Sequence, residues 1–198
     1  MKNLTPTIAI IVIVFTIAAC KKKNNPANEV TPVKEPVMIY TDLSGKILKD
    51  PNTAYHIDIN KDGIADVHMQ AFALGAIDRY ELQFKAVTSP GTYLSVDNNE
   101  QTAPFLLKDK ITTADMTLHQ WLEVAAIVLM NNVTPAGAPY WAGNWQNLSH
   151  VYLPIMQIKN GTYYAGWIEL STNTKTGTVE LHRAAISTEP NVAVKAGV

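Results

Sequence analysis

"IELSTNTKTGTVELH", residues 168–182, is a pair of alternating apolar and polar runs on either side of a polar loop. In an extended chain successive side chains point to opposite faces, so period-two alternation marks a half-buried strand. The intervening Asn173–Gly177 stretch is polar and closes on a glycine, the residue that turns a chain most cheaply. The stretch therefore predicts a β-hairpin. With Ile168 and Leu170 facing a core, Trp167 and Glu169 face out, and Glu180 and His182 join them from the partner strand.

The same texture extends through the chain. "VMIYTDL", "AYHIDI", "ADVHMQAFAL", "RYELQFKAV", "TYLSV", "VYLPIMQI", "TYYAGWIELST" and "TVELHRAAIS" are short runs rich in Val, Ile, Tyr, Phe and Thr, separated by turn residues. Eight or more strands at this spacing predict a mainly β fold, an antiparallel β-sandwich or jelly roll. The span 37–198, about 160 residues, suits a single domain with a sizeable core. Helical pattern is confined to "TTADMTLHQWLEVAAIVLMNN". Thr112 and Asp115 have the spacing of a capping box, and Met116, Leu118, Leu122, Ala125 and Leu129 can share a helix face. "EVAAIVLM" suits a buried strand equally well, so the expectation is one short helix over 113–121, then a strand.

Between two of these strands lies "YHIDINKDGIADVHMQ", residues 55–70. Asp58, Asn60, Asp62, Gly63 and Asp66 follow D-x-N-x-D-G-x-x-D. Calcium takes six to eight oxygen ligands, and alternate side chains of a tight loop can supply them, with Ile64 adding its backbone carbonyl. In the EF-hand the twelfth position is a bidentate glutamate; here it is Met69, and Asp66 must close the shell instead. The loop thus resembles the short calcium loops of thrombospondin-type repeats and integrin-type propeller blades, although it occurs once rather than as a repeat. A metal-free turn on "NKDG", held by Asx-type hydrogen bonds, uses the same residues. Three carboxylates that repel one another without a cation favour calcium in a structural role.

The first residues, "MKNLTPTIAIIVIVFTIAAC", combine Lys2, an apolar run and the chain's one cysteine. The run is too short to span a bilayer, for which about 20 residues are needed, and suits a signal peptide over 1–19. Ile17-Ala18-Ala19-Cys20 resembles the lipobox of bacterial lipoproteins, which implies lipidation of Cys20. The alternative is an ordinary secretory signal with a cysteine beside the cut. With no second cysteine there is neither a disulfide framework nor a thiolate metal site. Residues 20–36 carry three adjacent lysines and three prolines without apolar periodicity, and read as a disordered tether of roughly 20–25 Å reach. Lys21, in place of the aspartate that retains enteric lipoproteins at the inner membrane, implies an outer-membrane address in a Gram-negative envelope. The facing leaflet stays open.

From Asn24 onward 12 basic residues stand against 17 acidic ones, which speaks against a nucleic-acid partner. Catalytic signatures are absent from the sequence: the five histidines are scattered singly, without zinc-site or nucleophile-elbow spacing. Glu169 and Glu180 could oppose one another across the hairpin as glycosidase carboxylates do, although such a pair is also compatible with simple solvation. The densest aromatic stretch, "APYWAGNWQNLSHVYLP", offers Tyr140, Trp141 and Trp145 as a platform for apolar sugar faces; Trp145 and Tyr152 suit the end of a core as well.

Taken in order, "HIDINKDGIADVHMQ", "GNWQNLSHVYLPIMQIKNGTYYAGWIELS" and "AISTEPNVAVKAG" resemble a group of small secreted or anchored bacterial β-sandwich domains. That resemblance implies a calcium-loop sandwich over residues 40–197 and brings no activity with it. The expected function is a lipid-anchored, calcium-stabilised envelope module, non-enzymatic, binding a glycan or a partner protein. A polysaccharide-active enzyme and a structural subunit of an envelope assembly are the alternatives.

Overall fold

The computed structural model describes residues 34–116, 118–123 and 125–198. The expected signal peptide, the expected lipidation site Cys20 and most of the expected tether lie outside the described residues. Glu35–Val198 form one compact unit.

That unit is built from antiparallel sheets. One has six strands: β1 (Met38–Leu48), β5 (Thr92–Val96), β7 (Gln120–Glu123), β10 (Val151–Lys159), β11 (Thr162–Asn173) and β12 (Thr178–Ser187). They lie in the order β1-β12-β11-β10-β5-β7. The other has five: β2 (Ala54–Ile57), β3 (Val67–Gly75), β4 (Arg79–Thr88), β8 (Ala126–Pro135) and β9 (Tyr140–Ala142), in the order β2-β3-β4-β8-β9. A two-stranded ribbon pairs β6 (Lys110–Ile111) with β13 (Val194–Lys195). The mainly β sandwich expected from the alternation is the fold observed, and each of the eight runs quoted above supplies a strand.

The inner faces of the two large sheets enclose the main core. Leu153, Ile155, Ile168, Leu170, Leu181 and Ala184 come from the six-stranded sheet; Ile57, Val67, Met69, Phe84, Ala86 and Leu129 come from the other. Trp145 fills the same core, with no exposed surface.

Two expectations are corrected. No helix occurs among the described residues of 113–121. Met116 and His119 instead exchange backbone hydrogen bonds of 3.0 and 2.9 Å across a tight turn, and Leu118 sits at φ 68°, outside the helical region. Leu118 is also exposed, so the apolar face assumed for a helix never forms. Thr112 donates its hydroxyl to Ala114 O rather than capping Asp115. The strand half of the expectation holds as β7 and β8.

The second correction concerns the back of the hairpin. Trp167 and Glu169 do point away from Ile168 and Leu170, but not into water: both are buried. The ribbon residues Ile111 and Val194, with Ala196, cover Trp167, Tyr152, Ala165 and Ala185 in a second apolar cluster. Tyr152 meets the Trp167 ring edge-on at 5.3 Å, and the Arg183 guanidinium lies 5.1 Å over it. The outer face of a sheet is wet only where nothing returns to cover it.

Candidate functional site

Two places gather polar chemistry: the acidic loop at one end of the sandwich, and a groove beside the 168–182 hairpin.

The loop joins β2 to β3. It turns through Lys61 at φ 61° and Gly63 at φ 90°, left-handed conformations that glycine tolerates at little cost. Its side chains hold the turn from within. Asp58 accepts from Asp62 N at 3.1 Å and Gly63 N at 2.7 Å, Asn60 Oδ1 accepts from Asp62 N at 2.9 Å, and Asp62 Oδ1 accepts from Ile64 N at 3.0 Å. Asp66 is buried and accepts from Ile59 N at 2.7 Å. These are the Asx-type bonds of the metal-free turn, and they divide the carboxylates among separate backbone groups. Among the described residues no three His, Cys, Asp or Glu side chains gather as a metal set.

Four of the five predicted ligands nevertheless share one space. Asn60, Asp62, Ile64 and Asp66 line a cavity of about 150 Å³ with Gln157 and Lys159 from β10. Lys159 Nζ lies 3.7 Å from Asp62 Oδ2, a positive charge at the mouth of an acidic site. Gln157, buried, accepts from Asn60 Nδ2 at 3.1 Å. Its own Nε2 faces the Asp66 carboxylate without closing a hydrogen bond. Burial pushes the Asp66 carboxyl above its ordinary range, and the Asp58 charge adds to this against the Ile59 hydrogen bond. A buried carboxylate without a full counter-charge, in a cavity shared with the Asn60 and Asp62 side chains, suits a small hard cation, whereas the Gln157 Nε2 amide is a donor and cannot ligate one. Gln157 was not legible in the sequence, where it reads as an ordinary strand residue 91 positions from Asp66.

The groove, about 540 Å³, is lined by Asn147, Ser149, Ser171, Asn173, Thr176 and Glu180 among others. It opens where the cover over the back of β11 ends, so that Trp167 is buried, Glu169 sits at the margin and Ser171 is half-exposed. The predicted Glu169–Glu180 opposition is not what the register makes. An irregularity between Glu169 and Leu170 sets Glu169 against Arg183 and Ser171 against Glu180, leaving His182 as the extra residue of a β-bulge. Glu169 accepts from Arg183 Nε at 2.6 Å and meets His150 Nδ1 at 2.7 Å. Burial raises its carboxyl pKa, but the Arg183 and His150 contacts outweigh burial and leave it below the ordinary range. The freed His182 stacks on His150, centroids 4.4 Å apart, and its Nε2 lies 2.8 Å from Ser171 Oγ.

The predicted aromatic platform is divided. Trp145 belongs to the core, donating Nε1–H to Thr102 O at 3.0 Å, and presents no face to a ligand. Trp141 is half-buried, stacks on Phe84 at 6.2 Å and brings its ring edge against Gly177, within the hairpin loop that borders the groove. Tyr140 is exposed.

Compared with known proteins, the chain matches no family model, and no curated protein or solved structure is significantly similar to it.

Proposed function

We propose that the chain is a lipid-anchored module of the Gram-negative cell envelope, held at the outer membrane through Cys20, with a calcium-stabilised β-sandwich that binds a glycan without turning it over. The observation that carries the binding role is the groove. Hydroxyls and amides of Asn147, Ser149, Ser171, Asn173 and Thr176 line a concave surface large enough for a small ligand, and the Trp141 edge lies beside it. Such a lining matches a polyhydroxylated ligand better than an apolar one. Soluble glycans arrayed against the protein, with and without calcium, test this. Binding lost in Asn173→Ala is the expected result; no glycan bound in either condition removes the glycan role and leaves a partner protein or an envelope assembly.

Calcium enters at Asp58, Asn60, Asp62, Ile64 and Asp66, displacing the Lys159 ammonium from Asp62. Because Gln157 belongs to the six-stranded sheet and the loop to the five-stranded one, an ion that also took the Gln157 Oε1 oxygen would tie the sheets together at the end of the sandwich. Extracellular calcium modules bind at about 0.1–1 mM. At the tight end, roughly 10 mM calcium stabilises by about 2.7 kcal/mol, several degrees for a domain this size. Asp62→Ala, an exposed position, should fold normally and lose the shift; no shift in the native chain leaves the loop a turn.

A hydrolytic reading rests on one contact, Ser171 Oγ to His182 Nε2 on the groove wall. His150 N already donates to Ser171 Oγ at 2.9 Å, so the hydroxyl proton is free for the imidazole, as a nucleophile–base pair requires. Ester hydrolysis abolished by Ser171→Ala would favour this reading over simple binding.

A further inference from the structure

His56 on β2 and His68 on β3 stand directly opposite one another in the antiparallel register. Their rings meet edge to face, centroids 4.6 Å apart, with the two Nδ1 atoms in contact. The proton positions follow from a third residue. Ser89 Oγ donates to Ala65 O at 2.6 Å, and a hydroxyl has one proton to give. Toward His68 Nε2, at 3.3 Å, Ser89 can therefore only accept. The neutral His68 ring carries its proton on Nε2, and its Nδ1 is a bare lone pair aimed at the Nδ1 of His56. His56 is exposed, so this edge of the hairpin is open to solvent.

We propose that His56 and His68 form a two-imidazole site for a late first-row divalent metal, of the class of Cu²⁺, Ni²⁺ or Zn²⁺. Neutral imidazole nitrogens suit these ions, whereas calcium prefers oxygen. Holding the far nitrogen of a ligating histidine by an outer hydrogen bond is the usual way its tautomer and orientation are fixed; Ser89 does this for His68. Bonds of about 2.0–2.1 Å to each nitrogen require the two Nδ1 atoms to part to roughly 3 Å, which the exposed His56 ring can do by a small rotation. The remaining coordination positions face solvent and take water or a donor from a ligand. The site sits at the base of the acidic loop but shares no side chain with it, so it stands whether or not the loop binds calcium.

The test is Cu²⁺ and Ni²⁺ titration of the purified full-length chain by calorimetry, with electron paramagnetic resonance of the Cu²⁺ form. The proposal expects one saturable site, Cu²⁺ bound more tightly than Ni²⁺, and hyperfine coupling to two nitrogens. His56→Ala and His68→Ala should each abolish it. Ser89→Ala should weaken it by about tenfold, the effect typical of a lost outer partner. His150→Ala should leave it intact, which separates this pair from the stacked His150–His182 rings. Calcium in excess should not compete. No binding by the native chain, coupling to fewer than two nitrogens, undiminished binding in either histidine variant, or binding lost with His150→Ala would overturn the proposal. Where a variant at His56 or His68 fails to fold, two-nitrogen coupling retained in His150→Ala upholds the assignment and its loss there overturns it.

Discussion

Replacing Glu169 by Gln removes one charge and keeps the shape of the side chain. In the native domain the Glu169 carboxylate is buried and takes charge-assisted bonds from Arg183 at 2.6 Å and His150 at 2.7 Å. Arg183 continues to Gly197 O at 3.2 Å and lies over Trp167, so the pair anchors the chain end that covers the second apolar cluster. Breaking a fully buried ion pair costs about 3–5 kcal/mol. The Arg183 side chain is 42 % exposed, and water recovers part of its lost partner, which brings the figure to about 2 kcal/mol. For a domain this size that is roughly 4–8 °C in Tm. The pH dependence carries the sign. Because the folded state holds the Glu169 carboxyl below its ordinary range, the unfolded chain takes up the proton first as pH falls. The stabilisation is therefore complete above the ordinary glutamate range, about 4.3, and is lost as pH drops through the folded value. Thermal melts of native and Glu169→Gln protein from pH 7 to pH 3 should show a gap that is constant at neutral pH and closes in acid. A gap below about 0.5 kcal/mol at pH 7 would mean a solvated surface pair; a gap that persists unchanged in acid would mean that the charge is not its source.

Two further perturbations probe the framework around the groove. Thr172→Val removes a buried hydroxyl that donates to Trp145 O and accepts from Leu148 N at 3.0 Å. Two backbone groups are left unpaired, and a loss of about 2–4 kcal/mol by urea unfolding is expected. Gly166→Ala, in the middle of β11, would set a methyl 2.4 Å from Ala185 O and 3.1 Å from Ile186 Cα. Those are backbone atoms of the neighbouring strand and cannot rotate away, so a loss of about 3 kcal/mol or more, seen as a failure to accumulate folded protein, is expected.

Strand existence was legible because it depends on local alternation, which "RYELQFKAV" carries most cleanly. Ile168 and Leu170 do face the core as expected; what failed was what covers the opposite face and which residues stand across from one another. Met116, Leu118 and Leu122 offered a helical stripe, but a stripe stabilises a helix only when something packs on it, and the turn at Leu118 was the cheaper solution. Trp141, on β9, and Trp145, just beyond it, are four residues apart in one aromatic stretch; only tertiary placement makes one of them core and the other a groove neighbour. The acidic loop was visible as a motif, while Gln157 and Lys159, which complete its cavity, arrive from a strand of the opposite sheet.

The histidine pair shows where a further step was available from sequence. His56 and His68 each lie two residues outside the first and last acidic positions of the loop, Asp58 and Asp66. Once the loop is read as a hairpin connection, that symmetry fixes the register and sets the two rings opposite each other. The same reasoning applied to the 168–182 hairpin misleads, since a straight register there puts Glu169 opposite His182. The bulge at His182 shifts the partner by one and supplies Arg183 instead. A buried carboxylate opposite a guanidinium is a stable arrangement, whereas one opposite a half-exposed imidazole is compensated only when that ring is protonated. The irregularity therefore does chemical as well as geometric work: it gives the buried Glu169 a permanent counter-charge and releases His182 to reach Ser171 on the wall of the groove.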